Sequence, residues 1–212
     1  MWAKITDGKI EEVIAYPKTI IVDDVKHPPS IFTSWSWAEL NSIGIFQVED
    51  TATRGDARFQ KTSGPTYTYK ASEKKVVTSY TVTDLSLADY DLVDSDGNVL
   101  KDPDGNKINV EGLKTIAKRE ANGKANALIS RLRWLTERVI MDSSKTIPTA
   151  VTTYCAAIRT DADNIVKAID AASDMNAFKA LYENKVDSDG KITEIARVNR
   201  WTDDSTVEDY IR

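Results

Sequence analysis

The fold of the C-terminal half is decided by residues 113–172, which read LKTIAKREANGKANALISRLRWLTERVIMDSSKTIPTAVTTYCAAIRTDADNIVKAIDAA. Apolar side chains recur at steps of three and four residues, first over 113–139 and again over 151–172. This spacing gives each predicted helix one apolar stripe. Because only the short segment Met141–Pro148 separates the two helices, we expect them to run antiparallel and to bury their stripes together.

Residues 1–82 carry strand patterns instead. Met1–Ala15 alternates around Asp7-Gly8, a strong turn signal, and this pattern predicts a β-hairpin. Three later segments alternate polar with apolar or aromatic residues, which predicts an antiparallel meander with one solvated face. These segments are Ala57–Lys61, Thr66–Lys70 and Lys75–Val82.

A short helix is predicted between these strands. Ser36 and Glu39 have the spacing of a capping box, in which each residue's side chain binds a backbone amide of the other. The helix is expected to continue through Ile43 and to end at Gly44, since glycine favours the backbone conformation that ends helices. Ile45–Val48 is then expected to form a strand.

Turn signals organise the remaining segments. Thr19–Val22 is a candidate strand, and Asp23–Ser30 is expected to be a loop because it ends in prolines. Leucine spacing suggests a helix starting near Thr83-Asp84. Val93–Val110 then has two Asp-x-Asp-Gly turns and is expected to form an inserted hairpin.

Strands followed by helices predict an α+β fold with a β-rich N-terminal part (hairpin plus antiparallel meander) and an α-helical hairpin or bundle after it. The expected domains are 1–82, a β-rich domain; 83–111, a connecting helix with the inserted hairpin; and 112–212, a helical domain. The polar tail Asp203–Arg212 is expected to order only against a partner. We recognise no internal repeat.

Composition excludes several classes of function. The net charge is −5 and the pI is about 5.1, which argues against binding a nucleic acid backbone. No apolar stretch is long enough to predict a membrane span, and Met1–Gly8 has no apolar signal core, so secretion by the common route is not expected. The single cysteine, Cys155, lies on an apolar stripe and is expected to be a small buried hydrophobe.

The three Asp-x-Asp-Gly turns raise the question of calcium. Asp102, Asp104 and Glu111 match positions 3, 5 and 12 of an EF-hand loop. Position 1 is Leu100, which offers no side-chain ligand. Tight turns stabilised by aspartate and glycine explain all three sites, and calcium binding at Asp102–Glu111 stays open.

Residues suited to catalysis are sparse. His27, the only histidine, precedes two prolines in a predicted loop, so no catalytic triad is proposed. None of the nine glycines belongs to a phosphate-binding pattern. We therefore predict no enzymatic activity, no metal site and no cofactor.

Aromatic and basic side chains offer the candidate contacts. Phe32, Trp35 and Trp37 are candidate partner-binding residues, although the interpretation that these rings form core between hairpin and helix is favoured. The first long helix is basic, which predicts a solvated face that meets acidic neighbours. Its basic residues are Lys114, Lys118, Arg119, Lys124, Arg131, Arg133 and Arg138.

Two groups of motifs resemble known phage proteins. In the N-terminal part these are Met-Trp-Ala-Lys-Ile with the following Asp-Gly-Lys-Ile, the segment from His27-Pro28 to Ile45, and Asp56–Phe59 with Val76–Thr83. They resemble small virion-associated proteins of tailed bacteriophages. The C-terminal motifs are similar to the helical module of tail-fibre assembly and tail-assembly chaperone-like proteins. They are Leu128–Leu135 with Trp134, Ile147-Pro148, Tyr154 and Arg159.

The sequence departs from this resemblance in two places. Thr136-Glu137-Arg138 stands where threonine-aspartate-tryptophan is usual, and Val93–Val110 looks like an insertion. These departures weaken the chaperone interpretation more than the phage interpretation.

The resemblance implies a non-enzymatic structural protein of the tail or fibre apparatus, located in the virion and made in the bacterial cytoplasm. Its expected partners are other phage tail or fibre proteins, with self-association open and neither nucleic acid nor membrane expected. One alternative is an assembly chaperone that is absent from the virion. A further alternative is a carbohydrate-acting tail enzyme.

Overall fold

The computed structural model describes residues 1–211, and the chain divides into two compact units, Met1–Asp84 and Leu85–Arg212. We call them the N-terminal unit and the C-terminal unit. The first is rich in strands, and the second contains the long helices. The prediction of a mixed fold with strands first and helices later is therefore confirmed at this level.

Seven strands and two short helices build the N-terminal unit. The strands are β1 (Trp2–Thr6), β2 (Lys9–Ile14), β3 (Ile20–Val22), β4 (Val25–His27), β5 (Ile45–Glu49), β6 (Gln60–Lys70) and β7 (Lys75–Asp84); the helices are α1 (Ile31–Ser34) and α2 (Trp37–Ser42). Five strands form one sheet in the order β2-β1-β5-β7-β6, and β3 and β4 form a separate hairpin.

The sheet is mixed rather than a simple meander. β5 runs parallel to β7, and all the other pairs are antiparallel. The predicted three-stranded meander is wrong in its details: Ala57–Phe59 forms a turn, and Thr66–Lys70 belongs to β6, which pairs along β7 with an irregularity at Ser63–Thr66. The parallel pairing of β5 with β7 joins segments that are distant in sequence, so an alternation pattern within one segment does not predict it.

The sheet curls until its edges meet. β2 and β6 lie at opposite edges of the sheet, yet they contact each other. Ala3, Val48 and Val76 are buried on the enclosed face, with the rings of Tyr67 and Tyr69 packed beside them. Because side chains alternate along a strand, the neighbouring positions face the other way and form a second core with α1 and α2. That outer core comprises Ile14, Ile20, Ile31, Phe32, Leu40 and Ile45.

The local turn chemistry explains which N-terminal predictions hold. The hairpin around Asp7-Gly8 is confirmed, as are the Ser36–Glu39 capping box and the strand after Gly44. The loop predicted over Asp23–Ser30 is wrong in its first part, since Val25–His27 forms β4. Asp23 and Asp24 both have positive φ values (48° and 62°), a conformation that aspartate tolerates in tight hairpin turns.

Four helices dominate the C-terminal unit. They are α3 (Leu113–Ser130), α4 (Arg133–Met141), α5 (Thr149–Ala171) and α6 (Met175–Ala180), and the short strands are β8 (Tyr90–Asp91), β9 (Asn109–Val110), β10 (Lys185–Val186) and β11 (Ile192–Glu194). Lys114 and Lys118 at the start of α3 both bind Asp170 at the end of α5, so the two helices are antiparallel as predicted.

Two helix predictions for this unit are wrong. The helix expected near Thr83-Asp84 is not formed, and the chain reaches α3 through turns and the short strands β8 and β9. The helix expected over 113–139 is interrupted at Arg131–Leu132, where the Leu132 amide donates to the carbonyl of Ile129, three residues back. Leu132 and Leu135, on either side of the interruption, both lie in the core, where each is 3% exposed.

Residues 92–108 contain an eight-residue repeat that the sequence analysis did not recognise. Leu92, Leu100 and Ile108 occupy equivalent positions, and their backbones bind one another in a closed ring. Leu100 donates to Leu92 (2.8 Å), Ile108 to Leu100 (3.0 Å), and Leu92 to Ile108 (2.8 Å). The predicted inserted hairpin is therefore a set of tight turns packed around this ring of hydrogen bonds.

The aspartates of the repeat hold the turns closed. The Oδ1 of Asp102 accepts hydrogen bonds from the amides of Asp104 (3.0 Å) and Asn106 (2.8 Å). Asp94 and Asp187 hold their own turns in the same way. These carboxylates satisfy backbone amides, as expected for aspartate in tight turns. The carboxylate of Glu111, the EF-hand candidate, pairs with Arg119.

The C-terminal tail docks on its own helices, so the prediction that it orders only against a partner is wrong. Val207 is fully buried in the core, and Trp201, Tyr210 and Ile211 pack beside it. The indole N–H of Trp134 donates to the carbonyl of Tyr210 (2.8 Å). Arg131 and Asp204 add an ion pair at 3.0 Å. A few well-spaced apolar side chains therefore outweigh the polar composition of the tail.

Replacing Val207 by alanine should destabilise the C-terminal unit by about 2 kcal/mol, because the change removes buried methyl groups and leaves a cavity. Val186→Ala is the matched control, since Val186 is 57% exposed and its loss should cost less than about 0.5 kcal/mol. Urea unfolding followed by helical circular dichroism measures both changes. Equal effects of the two substitutions would contradict the docked tail.

The carboxylate of Asp102 should become protonated at a pH below the usual pKa range of aspartate. The hydrogen bond donated by the Asn106 backbone amide is the main cause of the lowered pKa of Asp102. A lowered pKa means that the turn is stabilised at pH values above the unfolded value of about 3.9 and loses this stabilisation as the pH falls through the folded value. We expect the NMR shifts of the Asp104 and Asn106 amides to titrate with a midpoint below 3.9. A midpoint at or above that value would refute the interaction.

Candidate functional site

The three predicted partner-binding rings lie in different environments. Phe32 is 6% exposed and packs against the ring of Trp2, with a centroid distance of 4.9 Å. Trp35 is half-buried and meets the ring of His27 edge-on at 5.5 Å. Trp37 is 42% exposed. Of the three, Trp37 therefore presents the most surface to a partner.

A depression of about 510 Å³ borders α2, and Trp37 is not among the residues that line it. Trp37 and Asn41 are four residues apart on the helix, so they share one side of it. The rings of Phe46 and Tyr69 pack together at 4.8 Å in this depression. Its lining residues are Ala38, Asn41, Ser42, Phe46, Tyr69, Ala71 and Lys74.

The backbone around α2 holds this depression in place. The Ser36–Glu39 capping box fixes the start of the helix, and Leu40, 1% exposed, anchors its inner side. Gly44 ends the helical segment with a φ of 77°, and the Ile5 amide donates to its carbonyl at 2.8 Å. A side chain at Gly44 would collide with the Ile5 carbonyl, so glycine is required where the chain enters β5.

The polar groups of the depression are incompletely satisfied. The Oδ1 of Asn41 is buried and accepts no hydrogen bond within residues 1–211. A buried acceptor without a donor costs about 1–3 kcal/mol of folding stability. Lys74 forms no ion pair with any other described residue and stands at the rim as a free cation.

A second candidate site is a groove of about 370 Å³ in the C-terminal unit. It lies where the helical hydrogen-bond pattern is interrupted at Arg131–Leu132. The residues on either side of this interruption form one wall, and the first turns of α5 form the other. Its lining residues are Asn126, Ile129, Ser130, Leu132, Arg133, Leu135, Thr136, Ile147, Val151, Thr152, Cys155 and Arg159. The sequence analysis missed this groove because it took 113–139 as one continuous helix.

The groove has an apolar floor and cationic sides. Arg133 lies 3.6 Å from Glu137, and both side chains are largely exposed. Arg159 has no ion pair or hydrogen bond to the residues that the structure describes. Elsewhere on α3 the prediction that basic side chains meet acidic neighbours is confirmed, since Lys118 pairs with Asp170 and Arg119 with Glu111.

Two motif residues of the phage resemblance, Ile147 and Arg159, meet in this groove. Part of the Leu128–Leu135 motif also lines it, whereas Tyr154 is 3% exposed in the core and the Trp134 indole binds the tail. The structure thus divides the motif into residues that stabilise the helices and residues that remain accessible.

The reactive side chains have structural surroundings. Cys155 is half-buried in the groove, and burial raises the pKa of its thiol, while nearby Arg159 acts in the opposite direction. The thiol is therefore protonated and weakly nucleophilic at neutral pH. Over residues 1–211, no three histidine, cysteine, aspartate or glutamate side chains are placed to hold a metal ion.

Comparison of the chain with protein-family models, with curated proteins and with solved structures gives no match. Among the described helices, none is both long enough and apolar enough to cross a membrane.

Replacing Asn41 by leucine should stabilise the N-terminal unit by about 1 kcal/mol, because it removes a buried acceptor that lacks a donor. Asn122→Leu on the exposed side of α3 controls for the better helix propensity of leucine. Urea unfolding followed by tryptophan fluorescence measures both variants. A loss of stability in Asn41→Leu would show that the carbonyl is satisfied in the folded chain.

Proposed function

We propose that the protein is a non-enzymatic structural subunit of the tail or fibre apparatus of a tailed bacteriophage and that it acts by binding other virion proteins. The phage assignment is supported by the sequence resemblance. The contact role is supported by one observation above the others, the exposed Trp37 ring, which lies one helical turn from Asn41, a residue that lines the depression.

This depression has the ingredients of a protein-binding site. Exposed tryptophan rings supply large contact areas with little loss of conformational freedom, and they are enriched among residues that dominate binding energy. Lys74 lines the depression and favours a carboxylate or a carbonyl. A partner segment with an acidic side chain therefore suits this site.

A transient assembly chaperone is the second candidate. It is favoured by the similarity of the C-terminal motifs to chaperone-like modules and by the open groove that those motifs border. The two candidates differ in one respect that can be measured: a structural subunit stays in the finished particle, and a chaperone leaves it.

Quantitative mass spectrometry of purified phage particles tests the proposal. We expect the protein at a fixed copy number relative to the major capsid protein. Its absence from particles, together with a complex with a fibre protein in infected-cell lysate, would replace the structural role by the chaperone role. Hydrolysis of host surface glycan by the purified protein would contradict both.

Trp37→Ala should reduce incorporation into particles without changing the melting temperature. When tagged wild-type and variant proteins are supplied together during infection, we expect the variant to be depleted at least about tenfold in particles relative to lysate, as for a dominant contact residue. Tyr16→Ala is the control, since Tyr16 is 81% exposed and lies between β2 and β3 rather than on α2. Equal depletion of both variants, or of neither, would exclude the Trp37 site.

A further inference from the structure

The groove at the helix break has the size and the lining of a small-molecule site. Its volume of about 370 Å³ lies within the range of ligand pockets in proteins, about 300–1,000 Å³. Such pockets are mostly apolar and contain a few polar groups that orient the ligand. Three of the apolar lining residues, Leu132, Leu135 and Val151, are buried and form the floor. A ligand with an apolar body therefore matches this floor.

The antiparallel pairing of α3 and α5 brings two polar lining residues together at one end of the groove. Lys114 and Lys118 of α3 both bind Asp170 of α5. Arg159 lies eleven residues before Asp170, and counting the same number along α3 from the two lysines reaches the turn that contains Asn126. Asn126 and Arg159 therefore lie opposite each other, and both line the groove.

Arg159 is a cation without an acidic partner at this end of the groove. Its side chain is exposed and forms no ion pair or hydrogen bond with the other residues of the described range 1–211. Arg133, beyond the helix break, already pairs with Glu137 at 3.6 Å. The guanidinium of Arg159 and the amide of Asn126 both donate hydrogen bonds. A guanidinium binds a carboxylate through two parallel hydrogen bonds, so this end of the groove favours a carboxylate.

The cationic end and the apolar floor lie along one side of α5. Val151, Cys155 and Arg159 follow one another at steps of four residues, so they share that side of the helix. Eight residues of α-helix rise by about 12 Å. An alkyl chain that starts from a carboxylate at Arg159 therefore passes Cys155 and reaches the floor at Val151.

We propose that this groove binds a medium-chain carboxylate. The carboxylate accepts hydrogen bonds from Arg159 and Asn126, and the alkyl chain covers Cys155 and the apolar floor. Because Arg159 is exposed, water weakens the ion pair, and we expect a dissociation constant of about 1 mM for octanoate. This proposal concerns the isolated protein and does not depend on the phage assignment.

Titration of the full-length, ¹⁵N-labelled protein with sodium octanoate tests the proposal. We expect saturable shifts of the Asn126 side-chain amide and of the Arg159 Nε–H in NMR spectra. At saturation, alkylation of Cys155 by iodoacetamide should slow several-fold, and this rate reports on the groove alone because the sequence has no other cysteine. Hexanoate has two methylene groups fewer and should bind about tenfold more weakly.

Arg159→Gln should weaken octanoate binding at least about fivefold, because it removes the charge that pairs with the carboxylate. Arg159→Lys restores the charge and should recover most of the affinity. Arg138→Gln is the matched control, since Arg138 is exposed on α4 and does not line the groove. Circular dichroism establishes that each variant is folded.

Four results would overturn the proposal. One is the absence of saturable octanoate binding, and another is equal affinity of octanoate for Arg159→Gln and for the wild-type protein. The third is binding of 1-octanol as tight as that of octanoate, which would show that the carboxylate is not recognised. The fourth is protection of Cys155 only by an added virion protein, which would assign the groove to that protein.

Discussion

The C-terminal unit depends on the interruption of the helical hydrogen-bond pattern at Arg131–Leu132. Leu132 and Leu135, which lie on either side of this break, both pack in the core that α3 and α5 share. Beyond the break, the Trp134 indole donates to the carbonyl of Tyr210, which holds the tail over the helices with Val207 beneath it. The same break opens the groove, so the feature that stabilises this unit also creates its accessible site.

The N-terminal unit solves a different packing problem. Its five-stranded sheet buries side chains on both faces, because one face curls inward and the other is covered by α1, α2 and a hairpin. The capping box at Ser36 sets the direction of α2, so Leu40 points inward and Trp37 stays exposed. In both units, charged and polar side chains stabilise turns, caps and ion pairs. Within residues 1–211, the Asn41 Oδ1 accepts no hydrogen bond and Arg159 forms no ion pair.

Local chemistry made part of this fold predictable. The Asp7-Gly8 hairpin, the Ser36–Glu39 box and the antiparallel α3 and α5 all follow from rules that act over a few residues. The helix break could not be predicted, because Arg131 and Leu132 fit the helical stripe and contain no glycine or proline. The parallel pairing of β5 with β7 and the docking of Val207 depend on contacts distant in sequence. Of the candidate site, the sequence indicated Trp37 but neither the Asn41 carbonyl nor the groove.

We propose that this protein works through contacts made at the exposed Trp37 ring and at the depression that α2 borders. Electron cryomicroscopy of the intact phage particle tests this proposal most directly. We expect density for the chain in the tail region, with a neighbouring protein covering the Trp37 ring and placing a carboxylate or a carbonyl near Lys74. A particle in which the chain is present but Trp37 and Lys74 face solvent, with other surfaces making the contacts, would contradict it.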